Sequence, residues 1–482
     1  MVKNAIEFQH ISFQYADGNT KVLKDVNFSI PFGSVTLLTG RTGVGKTTLL
    51  RILTRVIPED VSGTIYGNIL VDGETIAKNN IVDVSKKIGF VMQDPECQIF
   101  HEDVHDELLF GMENNNVSKE EAYRREKEAL DYTHLDRNSK TKTLSGGQKA
   151  MLITQSIILM RQNIIVLDEP LANLDLENAL KLLIDLKRLA KEGKTIIICE
   201  HRTSLVLPFC DKIYHLDNGI MYEGMGDDDK PFVFEDQKTN KEESSESILK
   251  IDHLNKSFDD KKVLNDLYFN MKKGRISVIL GNNGQGKTTL LNCISGQMKV
   301  KKKDGQITQS IAKRIGSYKW FKKVSVVFQN PTYELFNSSV RKELCFHSYS
   351  KNFAMEIGSK LHLEYLYDRH PQSLSEGEKR KLTIACALAK KPDLLFLDEP
   401  TVGQDRKSLE NIIEVIKDFV KEYKTSVYLI THDEQAAKAL ADDIYLLKDG
   451  KLNRLDSVEE FFDNLRLIGA DINKNNGAVA KS

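Results

Sequence analysis

Two segments of this 482-residue chain have the spacing of a phosphate-binding loop, in which a Lys-Thr pair follows the second of two framing glycines. In such a loop, backbone N–H groups surround a phosphate, the lysine contacts the β- and γ-phosphates, and the threonine hydroxyl binds Mg²⁺. The chain therefore predicts two nucleotide sites. With the threonine that follows each loop, their residues are Gly40, Arg41, Thr42, Gly43, Val44, Gly45, Lys46, Thr47 and Thr48, and Gly281, Asn282, Asn283, Gly284, Gln285, Gly286, Lys287, Thr288 and Thr289.

The sequence also indicates the elements that must hold these loops. Each loop follows an apolar run that favours a strand, at residues 35–38 and 277–280, and a helix is expected to point its positive end at the phosphate. Farther along, apolar β-branched runs alternate with amphipathic helical stretches, which predicts an α/β fold on a mainly parallel sheet. The early segments 6–30 and 249–271 instead alternate in the manner of antiparallel strands.

The second half of the chain repeats the first. The phosphate loop, a Gln-x-Pro segment, an L-S-x-G-x string, a D-E-P tripeptide and a histidine recur in the same order. Between the halves, residues 226–247 hold eight acidic residues and three lysines, which suits a solvated linker. We predict a first domain at 1–225, an acidic linker at 226–247, a second domain at 248–455, and a C-terminal helix with a disordered tail at 456–482. Ser457 and Glu460 would form a capping box at that helix.

The composition excludes several classes of function. Lys and Arg total 68 against 69 Asp and Glu, so there is no net basic field to attract nucleic acid. No apolar run reaches the length of about 18 residues that a membrane span needs. The first residues lack the apolar core of a signal peptide, and the six cysteines have no paired spacing, which predicts reduced thiols in the cytosol.

A phosphate loop alone does not distinguish a kinase, a GTPase, a helicase and a transport ATPase, but its companion motifs do. Between each loop and the D-E-P tripeptide stands L-S-G-G-Q (144–148) or L-S-E-G-E (374–378). Both halves thereby resemble ABC-type ATPase domains, and the resemblance covers nearly the whole chain. It implies ATP and Mg²⁺ as cofactors, ATP hydrolysis as the activity, and two tandem P-loop NTPase domains of ABC type. Each would have a mainly parallel sheet core, an antiparallel β subdomain and a helical subdomain.

The resemblance also assigns roles to single residues. Asp168 and Asp398 end apolar strands, which suits carboxylates held over Mg²⁺, and Glu169 and Glu399 come next, where they would polarise the attacking water. The switch histidines at the γ-phosphate would be His201 and His432. The glutamines that join Mg²⁺ and water to the partner surface would be Gln93 and Gln329. The aromatic residues that stack on adenine would be Tyr15 and Phe258. The implied metal ligands are Thr47, Gln93, Asp168, Thr288, Gln329 and Asp398.

In the family that the chain resembles, two such domains meet head to tail, and each ATP lies between one loop and the other domain's signature string. The resemblance implies one site of Lys46 with Ser375 and another of Lys287 with Ser145, with Asp175 and Asp405 crossing the same interface. Because an acid near a γ-phosphate would be repelled, the acids of the second string predict slower hydrolysis at the Lys46/Ser375 site. The signature residues are Ser145, Gly146, Gly147, Gln148, Ser375, Glu376, Gly377 and Glu378.

The segments after the two glutamines narrow the type of ABC protein. The segment Q-D-P-E-C-Q-I-F-H-E-D-V-H-D-E-L-L-F-G, which starts at Gln93, resembles the ATPases of energy-coupling-factor (ECF) transporters, which import vitamins and metal ions. The resemblance implies the motor of an importer, peripheral on the cytoplasmic face of the cell membrane. Its partners would be a membrane scaffold subunit beside Gln93 and Gln329 and a substrate-binding membrane subunit, with no nucleic acid. Acids after the first glutamine predict tighter docking of basic scaffold helices at the first domain: Asp94, Glu96, Glu102 and Asp103.

Other functions fit parts of the sequence. A soluble tandem-ABC translation factor acting on the ribosome would carry a long basic linker; this linker is short and acidic, although residues 299–303 are basic. A tandem sugar-importer ATPase has a similar length, but its second copy typically loses catalytic residues that are present here. Finally, His101 and His105 match the metalloprotease pattern H-E-x-x-H, which requires both on one helix and a third ligand elsewhere.

Overall fold

A computed structural model describes residues 3–226, 246–258 and 261–463. The chain divides into two compact units, and the division falls within the predicted linker. Apart from residues 226, 246 and 247, that linker lies outside the described residues, as does the predicted tail from residue 464 onward.

The first unit combines strands and helices in alternation. Its strands are β1 (Asn4–Tyr15), β2 (Leu23–Pro31), β3 (Val35–Thr39), β4 (Gly63–Val71), β5 (Glu74–Thr75), β6 (Ile88–Val91), β7 (Ile164–Asp168), β8 (Thr195–Cys199), β9 (Lys212–Asp217) and β10 (Ile220–Glu223). Its α-helices are α1 (Lys46–Leu53), α2 (Val56–Glu59), α3 (Ile81–Ser85), α4 (Val104–Asn114), α5 (Lys119–Thr133), α6 (Gly146–Leu159), α7 (Leu176–Lys191) and α8 (Thr203–Val206).

A six-stranded sheet of order β10-β9-β3-β8-β7-β6 forms the centre of the first unit, and all of its strands except β10 run parallel. Strands β3, β7 and β8 are buried along their whole length, as their apolar sequences predict. Because parallel strands end at one edge of a sheet, the phosphate loop after β3, the carboxylates after β7 and the histidine after β8 are brought together there.

Two further layers complete the first unit. The antiparallel sheet β2-β1-β4-β5 shares a hydrophobic core with α1, which confirms the antiparallel part predicted from residues 6–30. Helices α4, α5 and α6 surround a separate apolar cluster, which is the predicted helical part. The predicted fold class is therefore confirmed for this unit.

The second unit repeats this plan. Its strands are β11 (Ser247–Phe258), β12 (Lys261–Lys272), β13 (Ile276–Leu280), β14 (Gln306–Gln309), β15 (Val324–Val327), β16 (Leu394–Asp398), β17 (Ser426–Ile430), β18 (Asp443–Lys448) and β19 (Lys451–Leu455). Its α-helices are α9 (Lys287–Ser295), α10 (Tyr318–Lys323), α11 (Val340–Cys345), α12 (Lys351–Lys360), α13 (Glu376–Ala389), α14 (Arg406–Tyr423) and α15 (Glu434–Leu440).

The sheet order β19-β18-β13-β17-β16-β15 matches that of the first unit strand for strand, with β19 again antiparallel. The antiparallel sheet is reduced to β12-β11-β14. The repeat seen in the sequence is thus a repeat of topology. Among the described residues, no helix is both long enough and apolar enough to cross a bilayer.

A helix occupies residues 458–463, at the start of the segment for which a C-terminal helix and tail are predicted. Its start differs from a complete capping box. The Ser457 hydroxyl accepts a hydrogen bond from the Glu460 N–H at 3.3 Å, but the Glu460 carboxylate accepts from the N–H of Asp456, at 3.4 Å. The Glu460 carboxylate therefore binds the N–H of Asp456, the residue before the capping residue, and not the N–H of Ser457 as in a capping box.

Candidate nucleotide sites

The first phosphate loop joins β3 to α1 through backbone conformations that favour glycine. Gly40 has φ of +131°, and a Cβ there would lie 2.3 Å from the carbonyl oxygen of Leu216. The Lys46 ammonium folds back into the loop, where it donates to the carbonyl oxygens of Gly40 at 2.6 Å and Arg41 at 2.9 Å. This buried ammonium, ringed by a loop that precedes a helix, is suited to a phosphate anion.

The second phosphate loop has the same geometry between β13 and α9. Lys287 donates to the carbonyl oxygens of Gly281 at 2.6 Å and Asn282 at 2.9 Å. Gly281 has φ of +148°, with the position of a Cβ 2.5 Å from the carbonyl oxygen of Leu447. The two loops are therefore equivalent in backbone as well as in sequence.

The aspartates at the ends of β7 and β16 fit a divalent cation. Both oxygens of Asp168 are buried and have no hydrogen-bond partner among the described residues, while Asp398 Oδ2 accepts from the Thr288 hydroxyl at 3.1 Å. Burial raises the pKa of both carboxyl groups. A buried acceptor that lacks a donor is a ligand for a hard cation such as Mg²⁺, which would also offset the cost of its burial. Thr47 with Asp168, and Thr288 with Asp398, would hold the ion.

Glu169, the predicted water-polarising carboxylate, follows β7 directly. It has φ of +50°, a costly conformation for a residue with a side chain, and its N–H donates to the Cys199 carbonyl oxygen at 2.8 Å. The carboxylate lies 3.2 Å from His201 Nε2 and accepts from Gln93 Nε2 at 2.9 Å. Burial acts to raise the pKa of Glu169, but the hydrogen bond and Coulombic attraction of His201 and the charge of Lys46 outweigh it, and the pKa is lowered.

The second unit places the equivalent residues together. Glu399 also has φ of +50°, and its carboxylate lies 3.4 Å from His432 Nε2 and accepts from the His432 N–H at 3.1 Å. His432 Nε2 is also 3.1 Å from the Asn283 amide oxygen, in the phosphate loop. Gln329 is exposed after β15. In each unit a lysine, an aspartate, a glutamate and a histidine thus converge at one edge of the sheet, which is an arrangement suited to a triphosphate and a water molecule.

The signature strings begin helices α6 and α13. In the first, Ser145 and Gln148 form a capping box; in the second, Ser375 and Glu378 form the same box. Glu378 Oε2 accepts from both the N–H and the hydroxyl of Ser375 at 2.9 Å, and Lys379 pairs with Glu376 at 2.9 Å. The second acid is thus held as a helix cap on its own serine.

The predicted adenine-stacking residues differ in surroundings. The Tyr15 hydroxyl lies 2.8 Å from the Thr48 hydroxyl, so this ring is held beside α1 and the first phosphate loop. Phe258, at the end of β11, is exposed, with the Lys256 ammonium 5.7 Å from its ring centre. Asp175 and Asp405 cap helices α7 and α14 by accepting from the N–H groups of Asn178 and Ser408.

Two residues that the sequence did not single out hold the first site's histidine. Glu200, immediately before His201, is buried, and its carboxylate accepts hydrogen bonds from the N–H groups of His201 and Arg202 and from the loop after Glu169. Arg202 donates to carbonyl oxygens of that same loop. The sequence signal for these two residues was the string C-E-H-R, which differs from the I-T-H-D of the second copy on both sides of the shared histidine.

The metalloprotease pattern is not a metal site. His101 lies before the start of α4 and His105 within it, so the two do not share a helix. His105 Nδ1 pairs with the buried carboxylate of Glu126 at 2.7 Å, and Arg137 pairs with the same carboxylate at 2.9 Å. No cluster of three or more His, Cys, Asp or Glu side chains arranged to hold a metal occurs in the part of the chain that the structure describes.

This fold, with a phosphate loop, a buried aspartate and a strand-end glutamate in each half, defines a tandem P-loop ATPase. The ABC transporter family model matches residues 23–172 and 264–402. The chain therefore belongs to the ABC transporter family, and it is an ATPase that uses ATP and Mg²⁺.

Relatives of similar length agree with this assignment. A candidate ABC transporter ATP-binding protein of Treponema denticola is 30% identical over 93% of this chain and 96% of its own length. One of Bacillus cereus is 30% identical over 98% of this chain and 95% of its own. Among solved structures, the RNase-L Inhibitor matches with a TM-score of 0.69 and 18% identity over 94% of this chain and 92% of its own, which shows a shared fold.

Proposed function

We propose that this chain is the ATP-hydrolysing motor subunit of an ECF-type membrane importer, peripheral on the cytoplasmic face of the cell membrane. The observation that carries the proposal is an exposed phenylalanine on a rigidly held turn after each glutamine. Phe100 is 72% exposed and Phe336 is 78% exposed. The cargo would be a vitamin, a vitamin precursor or a metal ion, bound by a separate membrane subunit.

A buried carboxylate fixes each of these turns. Glu107 accepts from the N–H groups of Phe100 and His101, at 2.9 and 2.8 Å. In the second unit, Glu343 accepts from the N–H groups of Phe336 and Asn337, at 2.8 and 2.7 Å. Burying the charge of each glutamate is costly. The turn that this charge orders exposes the apolar ring of a phenylalanine to water. Exposed aromatic residues on a preorganised surface are typical of binding sites for another protein.

The acids after Gln93 contribute less to docking than the sequence suggests. Glu96 pairs with Lys149, and Asp103 pairs with Lys140 at 2.9 Å. Glu102 lies 3.9 Å from Lys142. Because lysines of the same chain already offset these charges, the preference of basic helices for the first unit is weakened, and the apolar rings become the main anchors.

Replacing both rings tests the docking surface. We expect Phe100→Ala with Phe336→Ala to lower recovery of an integral membrane partner by at least about tenfold, because buried aromatic anchors dominate interface energies. The tagged full-length chain would be captured from detergent-solubilised membranes of its source, and the integral membrane proteins identified by mass spectrometry. Basal ATP turnover should stay within about twofold, since neither ring contacts a phosphate loop.

The matched control replaces two other exposed aromatic residues, Tyr222→Ala and Tyr318→Ala, one in each unit. Their recovery of the partner should equal that of the unmodified chain. Equal recovery by the Phe100/Phe336 variant would reject the docking surface, and absence of any membrane partner would reject the importer.

We further propose that ATP is held by Lys46 with Ser375 and by Lys287 with Ser145, and that the first of these sites is slower. Support comes from Glu378, whose carboxylate engages the Ser375 hydroxyl and adds a negative charge where the other string has Gln148. Single variants separate the sites. Glu399→Gln should leave a lower turnover than Glu169→Gln, by about threefold or more; equal residual rates would contradict the asymmetry.

A second candidate is action on the ribosome, which one surface favours. Residues 299–323 hold nine Lys and Arg side chains, all exposed, and one acid. Tyr318 and Phe321 are exposed among them, and exposed aromatic residues between cations are suited to RNA. Salt-sensitive co-sedimentation with ribosomes, lost on reversing the charge of Lys302 and Lys303, would support this function. No co-sedimentation at low salt would exclude it.

A further inference from the structure

Glu200 joins two segments that are distant in sequence. Its Oε1 accepts from the N–H groups of His201 at 2.8 Å and Arg202 at 3.1 Å, and its Oε2 accepts from the N–H of Leu171 at 3.1 Å. The first two belong to the turn after β8, and the third belongs to the loop between Glu169 and α7. One buried carboxylate therefore fixes both segments at once.

Arg202 makes the reciprocal connection. Its Nη1 donates to the carbonyl oxygens of Leu171 and Leu174, both at 3.1 Å. Leu174 precedes Asp175, which caps α7. Together, the two side chains make five hydrogen bonds to backbone groups. We call this arrangement, Glu200 and Arg202 on residues 171–174, the histidine clamp.

The second unit has no such clamp at the equivalent positions. Thr431 stands where Glu200 does, and its hydroxyl accepts from the N–H of Asp433 at 3.0 Å and lies 3.4 Å from the Thr401 hydroxyl. Asp433 stands where Arg202 does, and its side chain caps α15 by accepting from the Ala436 N–H at 2.8 Å. The second unit thus joins the same two regions differently, by neutral hydroxyl groups and by the His432 N–H, which donates to the Glu399 carboxylate at 3.1 Å.

We propose that Glu200 and Arg202 are positioning residues that hold His201 and the loop 171–174 as one rigid body, so that His201 keeps its place beside Glu169. The second unit has Thr431 and Asp433 at these two positions and holds His432 through other contacts. Charge-assisted hydrogen bonds are shorter and about twice as strong as neutral ones. The three hydrogen bonds that the buried Glu200 carboxylate accepts all come from backbone N–H groups. The proposal rests on the role proposed for His201. The hydrogen bonds that these two side chains make among the described residues go to residues 171, 174, 201 and 202 and not to the phosphate loop, so we expect the clamp to affect turnover rather than ATP binding.

The test uses the full chain with Glu399→Gln, in which remaining turnover reports the first unit. Glu200→Gln keeps an oxygen for the N–H groups of His201 and Arg202 but turns an amide N–H₂ toward the Leu171 N–H. Arg202→Met keeps the length of the side chain and removes its donors. Each is expected to lower kcat about tenfold with KM for ATP changed less than about twofold, since small displacements of catalytic groups cost this much.

A double-variant comparison separates positioning from general damage. Within His201→Ala, adding Glu200→Gln should cost less than about twofold in kcat, because the group that the clamp holds is already absent. A full further tenfold loss would show that Glu200 acts elsewhere and would overturn the proposal. The control Thr431→Val should leave kcat in the same Glu399→Gln background unchanged.

The two possible failures are distinguishable. If His201→Ala lowers kcat while Glu200→Gln and Arg202→Met both leave it unchanged, the clamp is wrong and the role of His201 stands. If His201→Ala leaves kcat unchanged, the role proposed for His201 fails, and the clamp with it. Thermal unfolding of each variant shows whether the chain is folded, and Arg202→Met decides the question should Glu200→Gln fail to fold.

Discussion

We expect ATP turnover to fall by at least about 10²-fold when Glu169→Gln and Glu399→Gln are combined in one chain, because each glutamate is the group that we propose polarises the attacking water. Glutamine keeps the shape and the contacts with the neighbouring histidine but cannot accept a proton. ATP binding is expected to persist, since the phosphate loops are untouched. Phosphate release measured on the purified chain, together with retention of labelled ATP, provides the test.

The matched control is Glu192→Gln with Glu422→Gln, at the ends of the equivalent helices α7 and α14. This control also removes two negative charges from the chain, but at the surface, and it should leave turnover unchanged. Turnover by the Glu169/Glu399 variant at the rate of the control would contradict the assignment of both glutamates.

Loss of the loop lysines should act on binding instead. We expect Lys46→Ala with Lys287→Ala to weaken ATP affinity by about 30-fold or more, because each variant removes a buried ammonium from a phosphate and leaves the anion without its partner. The effect should appear as a raised dissociation constant for Mg-ATP in the Glu169→Gln/Glu399→Gln background, where no hydrolysis competes.

Two exposed lysines provide the comparison, Lys191→Ala and Lys421→Ala, on α7 and α14. Their affinity for ATP should match that of the parent chain. An unchanged dissociation constant after loss of both Lys46 and Lys287 would mean that the phosphate loops do not bind the triphosphate.

The nucleotide-binding edge of the sheet could be predicted from sequence because its chemistry allows few residue types. A loop that wraps a phosphate needs glycine at Gly40 and Gly281, where a Cβ would strike a carbonyl oxygen. Strands buried on both faces, such as β3 and β16, are apolar throughout and are recognisable for that reason. The repeat then identified the equivalent residues of the second unit.

The electrostatic details could not be predicted, because they depend on partners far away in the sequence. The acids after Gln93 suggested an acidic groove, but Lys140 and Lys149 lie beside them in the folded unit. Glu378 differs, because its partner is near in the sequence: S-x-x-E is the pattern of a capping box, and the Glu378 carboxylate accepts from Ser375.

The histidine clamp shows the same limit. The Glu200 carboxylate meets the N–H of Leu171, a backbone group that every residue other than proline carries, so no residue type at position 171 indicates the contact. The one sign in the sequence was that the first copy has E-H-R where the second copy has T-H-D. Contacts between side chain and backbone leave this kind of weak signal in general.

The number of ATP molecules held by one chain is the most direct test of a tandem ATPase with two complete nucleotide sites. Equilibrium dialysis of the Glu169→Gln/Glu399→Gln chain against labelled ATP and Mg²⁺ measures it without loss to hydrolysis. Binding should saturate at two ATP per chain. When Lys46→Ala or Lys287→Ala is added, only one ATP per chain should bind in the concentration range that fills both sites of the parent variant. Saturation at one ATP in the parent variant, or no binding, would contradict the two sites.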